Sequence, residues 1–397
     1  MNSGNLSQTR LARMQATMTS YVARGVVPGL VTLISRRGET HVESYGTLAH
    51  DTHHPMQRDT LFRISSMTKP IAAVATLILA EECKLRLDEP VDRWLPELAD
   101  RRVLRHPQGA LDDTVPANRP ITVRDLLTLL LGFGMLLAPP DTYPIQQAMS
   151  KLQLRQGPPD PATPPPPAEW MRRLGTLPLL YQPGERWCYD TGFDVLGVLI
   201  ARVADQPLER FLQQRIFAPL GMQDTAFSVP AAKLARFATS YTTDEASGAL
   251  VIYDRAAGQW SSPPAFPSAA GGLVSTVDDY LAFSQMLLNK GKLGNARILS
   301  RHSVELMQTA QITEAQTMGA ELFLSANRTW GLGLSRFTQR DDIAAVPGRF
   351  GWDGGLGTSW YADPAEELTG ILMTQVMGFP AGIDLDFWTS VYQALDD

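Results

Sequence analysis

Apolar and polar residues alternate along the chain in three rhythms, and each predicts a different element. Leu11 to Tyr21 carries apolar positions at helical spacing and reads as a helix covering one face of a sheet. Leu30-Val31-Thr32-Leu33-Ile34 and His41-Val42-Glu43-Ser44 read as strands, with Arg36-Arg37-Gly38 turning the chain into an antiparallel hairpin. Pro70 to Ala80 is apolar nearly all round, the pattern of a helix buried at a domain centre. From Lys84 to Leu220 helical patterns are broken by many prolines, with a short apolar run over Val123 to Leu130. Gly157 to Ala168 holds Pro158-Pro159 and Pro164-Pro165-Pro166-Pro167, so it is expected to be extended, not helical, and to form a solvated surface loop, with a pocket rim or a partner-binding segment as the alternative. Thr276-Val277-Asp278-Asp279 reads as a capped helix start, continued by Tyr280, Phe283 and Leu287 and closed by Gly291. Three strand-like pieces follow, Thr329 to Leu334, Ser359 to Asp363 and Thr369 to Val376. Strands at both ends with helices between them predict an α/β sandwich whose mainly antiparallel sheet comes from residues 1–70 and 250–397. Residues 71–249 are expected to form a mostly helical domain, with a functional cleft between the two.

Composition narrows the classes of function. A chain of 397 residues with 44% hydrophobic content buries one large core or two modest ones. A net charge of −6 offers no basic footprint for nucleic acid. The two cysteines, Cys83 and Cys188, lack metal-ligand spacing. His50, His53 and His54 cluster with Asp51 in an expected loop, without the helical spacing that aims two ligands at one ion. No metal or other cofactor is therefore expected. Residues 1–20 are polar and lack the apolar run of a secretory signal, and the run after Pro70 is too short to span a bilayer. The expectation is a soluble, cytoplasmic protein with no membrane partner, its oligomeric state left open.

The candidate chemistry starts at Ser66-Met67-Thr68-Lys69. At i and i+3 of a helix both side chains lie on one face, where an unprotonated lysine holds and deprotonates the serine oxygen. A serine cap followed by a solvated lysine is a common surface pattern. Here, however, Lys69 is the one lysine of six with a serine three positions earlier, and the helix it opens is apolar all round. Ser66 would sit where free backbone N–H groups and the positive end of the helix dipole favour an oxyanion. A serine–lysine pair also needs a group to pass the proton to the leaving atom. Tyr189, after the Pro183-Gly184 turn, suits that role, although an ordinary half-buried tyrosine fits the same pattern. Phe350-Gly351-Trp352-Asp353-Gly354-Gly355 places glycines where a backbone N–H can approach a ligand, or where a hairpin simply turns. A rival α/β-hydrolase needs a Gly-x-Ser-x-Gly elbow and a later histidine. No such elbow exists, and His106 and His302 sit in no motif.

Taken in order, Phe62 to Pro70, Pro183-Gly184 ahead of Tyr189, Gly271 to Thr276, and Trp352-Asp353-Gly354-Gly355 resemble the serine β-lactamase and penicillin-recognising superfamily. The resemblance covers nearly the whole chain and is closest to class C β-lactamases and family VIII carboxylesterases. It implies a β-lactamase-like three-layer sandwich and an acyl-enzyme on Ser66, with Lys69 and Tyr189 as bases. It further implies an oxyanion hole from the N–H groups of Ser66 and Gly355. The chain departs from the usual Tyr-x-Asn with Tyr189-Asp190-Thr191, and from Lys-Thr-Gly with Trp352-Asp353-Gly354. Losing that lysine removes a cation suited to a substrate carboxylate and points to the esterase branch. Trp352 would then offer an apolar wall, with Gly354, Phe133 and Met135 shaping the pocket. The expected substrate is a short-chain or aryl ester, cleaved with an alkaline optimum. A β-lactamase, a D-alanyl peptidase, an acyltransferase, an amide hydrolase and a non-catalytic binding member remain alternatives.

Overall fold

The computed structural model describes residues 5–154 and 157–396. Its central sheet has seven strands: β1 Gly29–Arg36, β2 Glu39–Gly46, β3 Arg328–Trp330, β4 Ser335–Phe337, β5 Phe350–Gly354, β6 Thr358–Asp363 and β7 Leu368–Thr374. They lie in the order β3-β4-β5-β6-β7-β1-β2, and every neighbouring pair is antiparallel. The amino-terminal hairpin therefore docks onto the carboxy-terminal meander, with Leu33 opposite Ile371 and Arg36 opposite Leu368. Arg37 and Gly38, both at positive φ, make the two-residue turn between β1 and β2 that suits the right-handed strand twist.

β1 and β7 are buried along their whole length because both sheet faces are covered. That is why they read as unbroken apolar runs and not as an alternation. On one face Leu30, Ile34, Leu368 and Leu372 pack against helices α1, Gln8–Ala23, and α5, Ile383–Gln393. On the other face Val31, Leu33, Ile371 and Met373 join a larger core with α2, Thr68–Glu81, and α4, Val277–Leu288. Trp360 of β6 anchors α4, its ring 5.2 Å from Tyr280 and 6.0 Å from Phe283. The result is a mixed α/β, three-layer sandwich around one antiparallel sheet.

Residues between β2 and β3 contribute the remaining helices, among them α3, Thr191–Ala204, which packs on α2 and shares its core. They also contribute short ribbons, one pairing Ser240–Thr243 with Leu250–Asp254. α2 is buried from Thr68 to Leu79, as its all-round apolar pattern predicts. α4 starts where expected, with the Thr276 hydroxyl accepting from the Asp279 N–H.

Two local readings are corrected. The strand expected over Thr329 to Leu334 is half of a hairpin: β3 ends at Trp330, and Gly333, at φ +80°, turns the chain into β4. A Cβ on Gly333 would sit 2.5 Å from the Ala73 Cβ, so the turn presses directly on α2. The proline segment is not wholly extended either, because Pro167 opens a helix, Pro167–Gly175. The N–H of the first helical position has no partner within the helix, so proline there breaks no hydrogen bond.

Candidate active site

Ser66 lies in a single 3-10 turn, Ser65–Met67, that leads into α2. Neighbours clamp this turn on three sides. Tyr280 of α4 donates its hydroxyl to the Met67 carbonyl at 2.8 Å. Thr358 of β6 donates to the Ile64 carbonyl at 3.2 Å, and the Leu273 N–H donates to the Thr68 hydroxyl at 3.2 Å. Gly354 ends β5 against the same turn, and a Cβ there would lie 2.3 Å from the Ile64 carbonyl oxygen. The glycine is thus needed for close backbone approach. Ser65 holds φ +45°, an uncommon conformation for a residue with a side chain, next to the candidate nucleophile.

Lys69 is fully buried, and its Nζ has three polar neighbours: Ser66 Oγ at 3.0 Å, Asp190 Oδ1 at 2.9 Å and the Ala270 carbonyl at 2.7 Å. Burial alone would pull its proton affinity down. The carboxylate of Asp190, followed by Tyr189 and Asp194, outweighs burial and leaves Lys69 above the usual lysine range. Tyr189 stacks on Phe323, ring centres 4.3 Å apart, and lies under Nζ of Lys69 at 4.4 Å from its ring centre. Its phenol oxygen accepts the indole N–H of Trp352 at 2.7 Å and is within hydrogen-bonding reach of Ser66. Burial raises the phenol, while Lys69 and the hydrogen bonds from Ser66 and Trp352 pull it back without cancelling the rise.

Two carboxyl groups escaped the sequence reading. Asp190 lies at φ +83° and ψ −73°, and the Thr191 N–H donates to the Tyr189 carbonyl at 3.3 Å, which makes Asp190 the centre of a tight γ-turn. Asp194, in the first turn of α3, accepts from the Ser268 hydroxyl at 2.6 Å and from the Ala270 N–H at 3.2 Å. Burial, helped by Asp190, pushes its carboxyl up to about 7. The only local signal was two aspartates flanking a helix start, which reads as ordinary capping.

These groups open into a cavity of about 630 Å³. Ser66, Tyr189, Trp352, Gly354 and Gly355 line it together, and Met135 joins them. Phe133 does not line it. Its ring is buried in the main core, where an aromatic of that size gains most from complete removal from water. Trp352 is more than the apolar wall expected of it, since its N–H is spent on Tyr189. The segment read as a solvated loop also forms part of the wall: Pro158, Pro159, Pro161 and Pro164 face the cavity beside Trp170 and Phe266. The Tyr253 hydroxyl pins it by donating to the Pro159 carbonyl at 2.5 Å. Arg328 of β3 lines the cavity too, 3.7 Å from Asp353 and bonded to the Tyr361 hydroxyl.

A sandwich of this topology, with a serine–lysine pair at the foot of its central helix and a tyrosine across from it, defines a serine hydrolase of the β-lactamase fold. The chain belongs to the beta-lactamase family, whose model matches residues 14–392. It is 39% identical to Protein Rv1367c of Mycobacterium tuberculosis, over 91% of this chain and 89% of that protein. It is 30% identical to Esterase EstB of Burkholderia gladioli, over 91% and 90% respectively. Among solved structures it is similar to EstCE1, a hydrolase with promiscuous acyltransferase activity, at a TM-score of 0.80 and 26% identity, covering 97% of this chain and 99% of that one. Among the described residues no helix is long and apolar enough to cross a membrane.

Proposed function

We propose that the protein is a carboxylesterase that cleaves short-chain or aryl esters through an acyl-enzyme on Ser66. The observation that carries this reading is the hydrogen bond between Ser66 Oγ and Lys69 Nζ, with the Tyr189 ring packed beside that amine, at the foot of a cavity walled by proline and aromatic side chains. Ser66 Oγ attacks the ester carbonyl carbon while its proton passes to the Lys69–Tyr189 pair, and the N–H groups of Ser66 and Gly355 receive the developing oxyanion. The tetrahedral intermediate then breaks its bond to the alcohol oxygen, which takes that proton and leaves. A water molecule gives a proton to the same pair and attacks the acyl carbon. The Ser66 oxygen departs with the proton, freeing the acid and restoring the site. Trp352 in place of the lysine of the usual Lys-Thr-Gly disfavours β-lactams and D-alanyl peptides, and the similarity to Esterase EstB supports the ester reading.

The size of the cavity supports a second reading, acyl transfer. A volume near 630 Å³ leaves space beside a short acyl group for an alcohol in place of water. EstCE1, described as having promiscuous acyltransferase activity, supports the same idea. The test is hydrolysis of p-nitrophenyl acetate and butyrate beside a chromogenic cephalosporin, with and without added butanol, for wild type, Ser66→Ala and Tyr189→Phe. The esters are expected to turn over far faster than the cephalosporin, with both variants losing most of that activity. Ester turnover surviving in Ser66→Ala would refute the acyl-enzyme. Butyl ester accumulating in butanol would establish transfer.

A further inference from the structure

The second motif places a carboxylate, Asp190, directly after Tyr189 and brings it to the lysine it faces. The backbone is strained to do so. Asp190 occupies the centre of a γ-turn, a strained conformation for a residue with a side chain that persists only where surrounding contacts impose it. At 2.9 Å, with Lys69 wholly buried, the pair behaves as one unit. A lysine that gave up its proton would leave the Asp190 charge without its counter-ion at the edge of a dry site. The tyrosine is placed differently: its oxygen accepts an N–H from Trp352 and its ring lies beside the lysine cation, two contacts that favour the phenolate and offset part of the rise that burial and Asp190 impose.

We propose that Asp190 is a positioning residue that keeps Lys69 an ammonium throughout turnover, so that Tyr189 alone takes and returns the proton of Ser66. The proposal rests on the ester-hydrolase reading and assigns the proton within it. Lys69 then contributes a fixed positive charge, gaining and losing nothing, while each proton leaving Ser66 or water goes to the Tyr189 oxygen and each one returned comes from it. The groups facing Lys69 are Ser66 on its own turn, Tyr189 and Asp190 on the segment before α3, Asp194 on α3, and the Ala270 carbonyl. Both carboxylates raise the proton affinity of the cluster. The free enzyme must therefore shed a proton to solvent before it reacts, and activity rises toward alkaline pH.

The test has two arms. In the first, the intact protein is grown with lysine labelled at 13Cε and titrated by NMR, with the Lys69 signal identified among the six lysines by its loss in Lys69→Arg. The signal is expected to stay at its ammonium position across the whole pH range in which kcat/KM for p-nitrophenyl acetate climbs. In the second, Asp190→Asn removes the charge but keeps the side-chain shape, and asparagine tolerates positive φ. Its kcat/KM profile is expected to begin its rise about 1–3 pH units lower than wild type. A Lys69 signal that titrates together with the activity would overturn the proposal, as would an Asp190→Asn profile that does not move. The NMR arm decides the matter even if Asp190→Asn does not fold. Loss of the underlying hydrolase reading would look different, as ester turnover that persists in Ser66→Ala.

Discussion

At the scale of single residues, the site depends on a few donors and acceptors aimed at one phenol and one amine. Trp352 replaces a cation with a neutral N–H, and the phenolate form of Tyr189 gains most from that bond. Trp352→Phe keeps the apolar wall and deletes the donor. Hydrogen bonds to charged groups contribute about 1.5–3 kcal/mol, and one pH unit corresponds to about 1.4 kcal/mol. The acidic limb of kcat/KM should therefore move up by about one to two units, and the rate at neutral pH should fall at least tenfold. A pH profile with p-nitrophenyl acetate measures both, and an unmoved limb would mean that the indole only packs. Ser66, Lys69 and Tyr189 could be read from the sequence because each sits in a local pattern that also sets its spacing. Asp190 could not, since its importance lies in a positive φ and in contact with a residue far away in the chain. Arg328 gave no signal at all; it reaches the cavity only because β3 lies two strands from β5.

Among elements, those with strong periodicity were legible and those shaped by their neighbours were not. α2 and α4 announced themselves through apolar spacing and a capping threonine. The proline-rich segment 157–166 left a surface loop and a pocket rim both open, because prolines exclude a regular element without saying what lies alongside, and here that is the candidate-site cavity. Extended, proline-stiffened chain makes a pre-formed wall that loses little entropy when a ligand binds. Replacing Pro158 and Pro159 with serines should therefore raise KM for p-nitrophenyl butyrate several-fold while leaving kcat within about twofold. Steady-state kinetics separates the two, and a fall in kcat alone would place the segment in the chemistry instead. Phe133 and Met135 show the same limit. Both are apolar and two residues apart, and only three-dimensional packing sends one into the core and the other to the cavity.

For the molecule as a whole, the buried Asp194 carboxyl ties stability to pH in an unusual direction. Its folded value of about 7 lies above the ordinary carboxylate value, so between about pH 4 and 7 the folded state holds a proton that the unfolded chain has released. That contribution is fully present at the acid end of the window and is lost as pH rises through 7. Asp194→Asn keeps an oxygen to accept from Ser268 and Ala270 but cannot ionise. Urea unfolding from pH 4.5 to 8 should show a decline in stability in wild type that is flattened in the variant, and identical slopes would remove Asp194 as the source.

The sheet order also governs how the protein is made. β1 leaves the ribosome long before the strand that completes its inner edge, β7, which begins only at Leu368, and α1 has to wait for α5. Until β7 emerges the nascent chain carries an open, apolar strand edge whose partner has not yet been translated, the kind of surface that recruits chaperones and seeds aggregation. The central sheet can close only after β7 has been translated. A ribosome that stalls before β7 releases a chain that is not a partly working enzyme but a fragment whose sheet cannot close.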